Sequence, residues 1–144
     1  MTKPLRTRFV IADGSRARWV KRSDVADDFT TTKELAAEPR VEGQHQGVVF
    51  EGVAGRRFGV QQRQSAVQAH RLQFAHQVAD AINAEAEADA FERLAVVAPA
   101  RVLSAIRGRL SAAANARLAR TLAKDLTKTP DHELGTWLRT LELG

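Results

Sequence analysis

Five apolar residues in an unbroken row, Leu94 to Ala98, followed at once by Pro99, constrain this chain more than any other stretch. A strand with one wet face alternates apolar and polar side chains. L-A-V-V-A has nothing to show to water and requires cover on both faces. Proline lacks the N–H that a sheet ladder needs, while its fixed φ suits the first turn of a helix. Val102, Leu103, Ile106 and Leu110 then recur at the spacing of a one-sided helix. A buried strand running directly into an amphipathic helix is the front half of a β-α-β unit, so residues 93–110 predict a three-layer α/β domain.

The rest of the chain has to supply the layers. Leu5 to Ala12 alternates, with Leu5, Thr7, Phe9 and Ile11 on one side and Arg8, Val10 and Ala12 on the other, and predicts a first strand. Asp13-Gly14 is expected to provide the positive φ values of a tight hairpin turn. Arg16 to Arg22 then forms a second strand, with Trp19 against the core and the arginines and Lys21 outward. Phe29 to Leu35 is β-rich and alternating, a third strand. From Ala36 to about Gln62 the periodicity fails, and the segment holds Pro39 and the glycines Gly43, Gly47, Gly52, Gly55 and Gly59. A connection of that length in a compact domain is expected to be a loop that carries function.

Arg63 to Glu87 predicts a long helix with Val67, Phe74, Val78, Ala81 and Ile82 on one stripe and His70 at its margin. Asn115 to Leu126 is open between strand and helix, and spacing to the next element favours a fifth strand. Thr129-Pro130-Asp131 reads as an N-cap, a first-turn proline and an acid that complements the helix dipole. The last helix would bury Leu134, Trp137, Leu138 and Leu141. The resulting order is β-β-β-α-β-α-β-α: an α/β fold, one domain over residues 1–144, with a mixed five-stranded sheet and helices on both faces. A chain of 144 residues is long enough to bury such a core without cross-links.

Composition narrows the chemistry. The chain has no cysteine, which excludes disulfides, thiol catalysis and thiolate metal sites together. M-T-K-P-L-R-T-R at the N-terminus has no apolar stretch of signal-peptide length, and no window approaches a membrane span, so a soluble, cytoplasmic protein is expected. The formal charge of +5 is unevenly distributed: residues 1–22 set seven Lys/Arg against Asp13 alone, and residues 99–128 set seven against Asp125 alone. If the fold joins those segments, they form a patch that attracts polyanions.

A meander of three strands followed by alternating helices and strands is the layout of the ribonuclease H-like folds, including the central domain of eukaryotic and archaeal peptide-chain release factors. V-I-A-D-G-S-R-A-R at 10–18, G-R-R-F-G at 55–59, L-A-V-V-A-P-A-R-V-L at 94–103, I-R-G-R-L at 106–110 and L-A-K-D-L-T-K-T-P at 122–130 resemble the bacterial family of host attachment proteins, placed among relatives of that release-factor domain. The resemblance spans nearly the whole chain. It implies the fold and a role in translation or attachment.

Release factors act through a Gly-Gly-Gln loop between the third strand and the long helix, and here that connection holds E-G-Q-H-Q-G at 42–47. Gln44 is thereby the one catalytic candidate, but Glu42 adds a side chain and a negative charge where an anionic substrate approaches. A ribonuclease H-type nuclease would need several carboxylates around metal ions, and beyond Asp13 the fourth strand offers none. The A-D-G-S turn also resembles the phosphate loop of actin-like ATPases, which need a second such loop and an adenosine pocket. His70 and His76 point in different directions on their helix, and no metal or nucleotide fingerprint occurs. Neither metal nor cofactor is expected, and on balance no enzyme. The leading expectation is a binding protein that engages RNA, tRNA or the ribosome, with Arg16, Arg18, Arg56, Arg57, Arg101, Arg107 and Arg109 touching phosphates without reading bases. A protein-interaction module in surface attachment or its regulation is the second, and hydrolysis through the 42–47 loop the third.

Overall fold

The computed structural model describes residues 6–22, 28–38 and 53–142, with side chains from residue 64 to 141 in the last stretch. Five strands form one mixed sheet: β1 Thr7–Ala12, β2 Arg16–Arg22, β3 Phe29–Ala36, β4 Arg93–Ala98 and β5 Leu118–Ala123, in the order β3-β2-β1-β4-β5. The first three are antiparallel neighbours, whereas β4 runs parallel to both β1 and β5. Helix α1 spans Val53–Glu87, α2 Ala100–Arg109, α3 Ala112–Arg117 and α4 Gly135–Glu142, the last preceded by a 3-10 turn at Asp131–Glu133. Among the described residues, no helix is long and apolar enough to cross a membrane.

The sheet has two covered faces, and side-chain alternation sorts residues between them. Val10, Ala12, Trp19, Leu94 and Val96 face Phe74, Val78, Ile82, Val102, Leu103 and Ile106 of α1 and α2. Phe9, Ile11, Val20, Ala95 and Val97 face Leu126, Leu134 and Leu138 on the opposite side. Every residue from Leu94 to Ala98 is buried, as an unbroken apolar run in a central strand requires. Fully burying side chains of the size of Phe9, Ile82 or Leu138 contributes roughly 1.5–3 kcal/mol each, so the two clusters dominate the fold's stability.

Several expectations need correction. The long loop ends earlier than the glycines imply, because α1 already begins at Val53 and takes Gly55 and Gly59 into its first turns. Glycine in a helix costs only about 1 kcal/mol relative to alanine, which does not prevent a helix of 35 residues from taking in both. The ambiguous segment 115–126 is divided: Ser111 caps α3 by accepting from the Ala114 amide at 3.2 Å, and the chain then turns extended into β5 at Leu118. Thr129 is not a cap, since Pro130 takes that position ahead of the 3-10 turn and no side-chain cap bond forms there.

The β1–β2 turn uses no positive φ. Among the described non-glycine residues only Asp89, at the end of α1, has one, and Gly14 does not need one either. Asp13 makes the turn itself: its Oδ1 accepts from the amides of Ser15 at 2.7 Å and Arg16 at 2.8 Å. Gly14 answers a close approach instead. A Cβ there would stand 2.6 Å from Cγ and 2.8 Å from Cδ of Arg71, whose aliphatic stem lies across the turn.

Candidate functional site

Because β1 and β4 are parallel neighbours, their carboxyl ends, Ala12 and Ala98, lie side by side. The chain leaves β1 toward β2 on one side and leaves β4 through α2 toward β5 on the other. Two loops departing in opposite directions from adjacent strand ends open a crevice, which is where open α/β sheets bind ligands. Here the crevice measures about 560 Å³ and is lined by Asp13, Gly14 and Ser15 after β1, by Pro99 and Arg101 at the start of α2, and by Asp125 after β5. The α1 stretch Val67–Ala75 closes its third side, with His70, Arg71 and Leu72 among the lining residues. That volume lies within the range of small-ligand sites.

The acids of this crevice are engaged differently from its cations. Asp13 holds its own turn through Oδ1, and its Oδ2 accepts from the Thr127 hydroxyl at 3.1 Å. Burial pushes the Asp13 carboxyl up, but the Ser15 and Arg16 amides and the Thr127 and Ser15 hydroxyls outweigh it, so the group sits below the usual carboxylate range and stays charged. Asp125 Oδ1 accepts from the Thr127 amide at 3.0 Å, and it competes with Asp13 Oδ2 for the single proton of the Thr127 hydroxyl. Arg71 and Arg101 are both exposed and have no ion pair or side-chain hydrogen bond to any described residue. Pro99 caps α2 without a side-chain acceptor, and the first intrahelical bond is that of the Leu103 amide to the Pro99 carbonyl. The helix therefore presents free amides toward the same opening.

The arginines singled out from sequence divide four ways. Arg16 and Arg101 lie at the carboxyl end of the sheet, both exposed. Arg107 is exposed on the last turn of α2, away from that end, and Arg109 beside it binds Asp80 of α1 through Nε at 2.8 Å and Nη2 at 3.3 Å. Arg18 is not outward at all. Its side chain alternates with Trp19 and so enters the second core, where Nη2 donates to the carbonyls of Leu126, at 2.6 Å, and Thr129, and Nη1 pairs with Asp131 at 3.3 Å. Arg56 and Arg57 fall on the first turns of α1 and their side chains lie outside the described residues, as does Gln44 altogether.

Sequence reasoning missed Arg71, Asp125 and the close contact at Gly14. The readable signal was the pair D-G-S and P-A-R, each directly after an apolar strand, once those strands are taken as parallel neighbours. No group of three or more His, Asp or Glu suited to a metal ion occurs among the described residues.

A comparison with curated proteins finds no match. The family model described as "Protein required for attachment to host cells" matches residues 9–138, from within β1 into α4. With nine-tenths of its length matched, and with the two strand ends that form the crevice inside the matched span, the chain belongs to the family of proteins required for attachment to host cells.

Proposed function

We propose that this protein is a non-enzymatic binding protein that engages RNA, in tRNA or the ribosome, through the basic carboxyl end of its sheet. The observation that carries the reading is the pair Arg71 and Arg101, exposed and lining one crevice there from α1 and α2, with Arg16 exposed at the same sheet end. The strand order supports it further: β1 and β2 come from one basic segment and β5 from the other, with only β4 between them. The order β3-β2-β1-β4-β5 also favours a ribonuclease H-like layout, and with it kinship to the release-factor central domain. Arg18 leaves the set of phosphate contacts because its guanidinium serves the interior, and Arg109 is weakened as a candidate by Asp80.

Co-sedimentation with ribosomes, or gel shift with tRNA, at about 50 and 200 mM salt tests the reading, since phosphate contacts release counterions and lose affinity steeply over that range. Loss of binding at the higher salt, and weakening by Arg16→Ala and Arg101→Ala, is the expected result. Absence of RNA binding at low salt refutes it. The family description favours a second reading, a protein-interaction module in attachment, for which salt-insensitive capture of one protein partner is the distinguishing result.

A further inference from the structure

We infer that the crevice seats a single ribonucleotide, with its phosphate between Arg71 and Arg101 and its sugar toward Asp125. This deepens the RNA reading and rests on it for the source of the nucleotide, though the chemistry is the same for a nucleotide free in solution.

Three features of the crevice carry the assignment. The first is a pair of cations with nothing to hold. Arg71 and Arg101 line the same cavity from α1 and α2, and neither has a described partner. Guanidinium groups bind phosphate oxygens bidentately, and a phosphate between them also meets the free amides at the start of α2. The Arg71 stem is laid across the turn at Gly14, where no Cβ obstructs it.

The second is a carboxylate whose capacity is half used. Asp125 Oδ1 is taken by Thr127, while Oδ2 accepts from no described group. A carboxylate beside an anion site repels a bare phosphate and suits a ligand that brings hydroxyl donors along with its charge. A ribose does this, and its 2′-hydroxyl is the group by which a protein separates RNA from DNA. The Asp13 carboxylate is less suited to that role, because its Oδ1 already holds two backbone amides of its own turn.

The third is an apolar wall. Val67, Leu72, Ala75, Val102 and Ala105 line the remaining surface, and Leu72, 49 % exposed, is the large hydrophobic residue left in water among those described. A base laid on that wall covers it, and about 560 Å³ accommodates one nucleotide and excludes a duplex.

Equilibrium dialysis or calorimetric titration with adenosine and uridine 5′-monophosphates, the matching nucleosides, the 2′-deoxynucleotides and inorganic phosphate tests the assignment on the intact chain. Binding of the ribonucleotides, with nucleoside, deoxynucleotide and inorganic phosphate each weaker, is expected. Arg71→Ala and Arg101→Ala should each weaken it about tenfold, the value of one charge-assisted hydrogen bond. Asp125→Asn should reduce the preference for ribose over deoxyribose, and Arg107→Ala, outside the crevice, should change nothing. Thermal melts of each variant establish that it is folded.

A short RNA that displaces the nucleotide identifies the strand as the source. Nucleotide binding that RNA does not displace supports the crevice assignment with a free nucleotide as ligand and counts against the RNA reading. RNA binding without any nucleotide binding overturns the crevice assignment, and the RNA reading stands where Arg101→Ala still weakens that RNA binding. Inorganic phosphate bound as tightly as the nucleotides overturns it as well.

Discussion

Arg18→Ala separates a structural arginine from a binding one, and its cost can be worked out from the contacts. The wild-type guanidinium satisfies the carbonyls of Leu126 and Thr129 and pairs with Asp131. Leu126 is 2 % exposed, so its carbonyl loses its partner with no water to replace it, a penalty of about 1–3 kcal/mol. The Asp131 side chain is 41 % exposed and keeps its bonds from the Thr31 amide at 3.0 Å and hydroxyl at 2.6 Å, so the lost ion pair adds only about 0–1 kcal/mol. Loss of the packed arginine stem adds about 1 kcal/mol. One contribution runs the other way: Arg18 Nε is buried without a partner, and removing it relieves part of the loss.

The net destabilisation is about 3 kcal/mol, which for a chain of this size lowers the melting temperature by roughly 10 °C. Arg18→Met keeps the stem and should lose about half as much. Melting both variants by circular dichroism, and measuring tRNA binding well below their transitions, gives the decisive comparison. A large drop in melting temperature with binding retained is expected. An Arg18→Ala variant that melts within about 2 °C of the parent but no longer binds tRNA refutes the structural assignment.

Two further predictions concern the turn after β1 and the acids that hold the fold. Gly14→Ala places a methyl 2.6 Å from Arg71 Cγ and should weaken nucleotide binding by displacing that side chain; in an Arg71→Ala background the same change should have little further effect, and additive losses in the double-mutant cycle refute the contact. Asp13 and Asp131 are each pushed up by burial and then held below the ordinary carboxyl range by their hydrogen-bond donors, Asp131 also by Arg18 and His132. A depressed folded-state pKa adds stability that is complete above the unfolded value of about 3.9 and disappears as pH falls through the folded one. Urea midpoints should therefore fall steeply below about pH 4, and Asp131→Asn should flatten that fall.

How far the sequence discloses this molecule depends on whether the deciding interaction is local. Leu94–Ala98, Pro99 and the helix after it were legible because burial on two faces, a missing N–H and a 3.6-residue period are each written in adjacent residues. The division of 112–123 into α3 and β5 was also written there: A-A-A-N-A-R follows a capping serine, and L-A-R-T-L-A alternates after it. Arg18 was not legible. A charged residue alternating with tryptophan reads as the wet side of a strand, and only the presence of α4 and the 126–131 segment makes that side dry. Its ion-pair partner stands 113 residues away.

The crevice shows why counting charge by segment was informative about place but not about strength. The two basic segments do meet, because parallel pairing of β4 with both β1 and β5 brings them within one strand of each other. Within the crevice, however, Arg71 and Arg101 face Asp13 and Asp125, so the formal charge of these four lining side chains is zero. Attraction by net charge cannot distinguish such a site from neutral surface. What distinguishes it is saturation: Asp13 Oδ1 already accepts from two backbone amides, whereas the two guanidinium groups have no described partner. An ionised group whose hydrogen-bonding capacity is already filled exerts a weaker directed pull on a ligand than an unsatisfied one of the same charge. On the proposed reading, recognition rests on the donors without a described partner at one sheet end, while Arg18 in the second core serves stability.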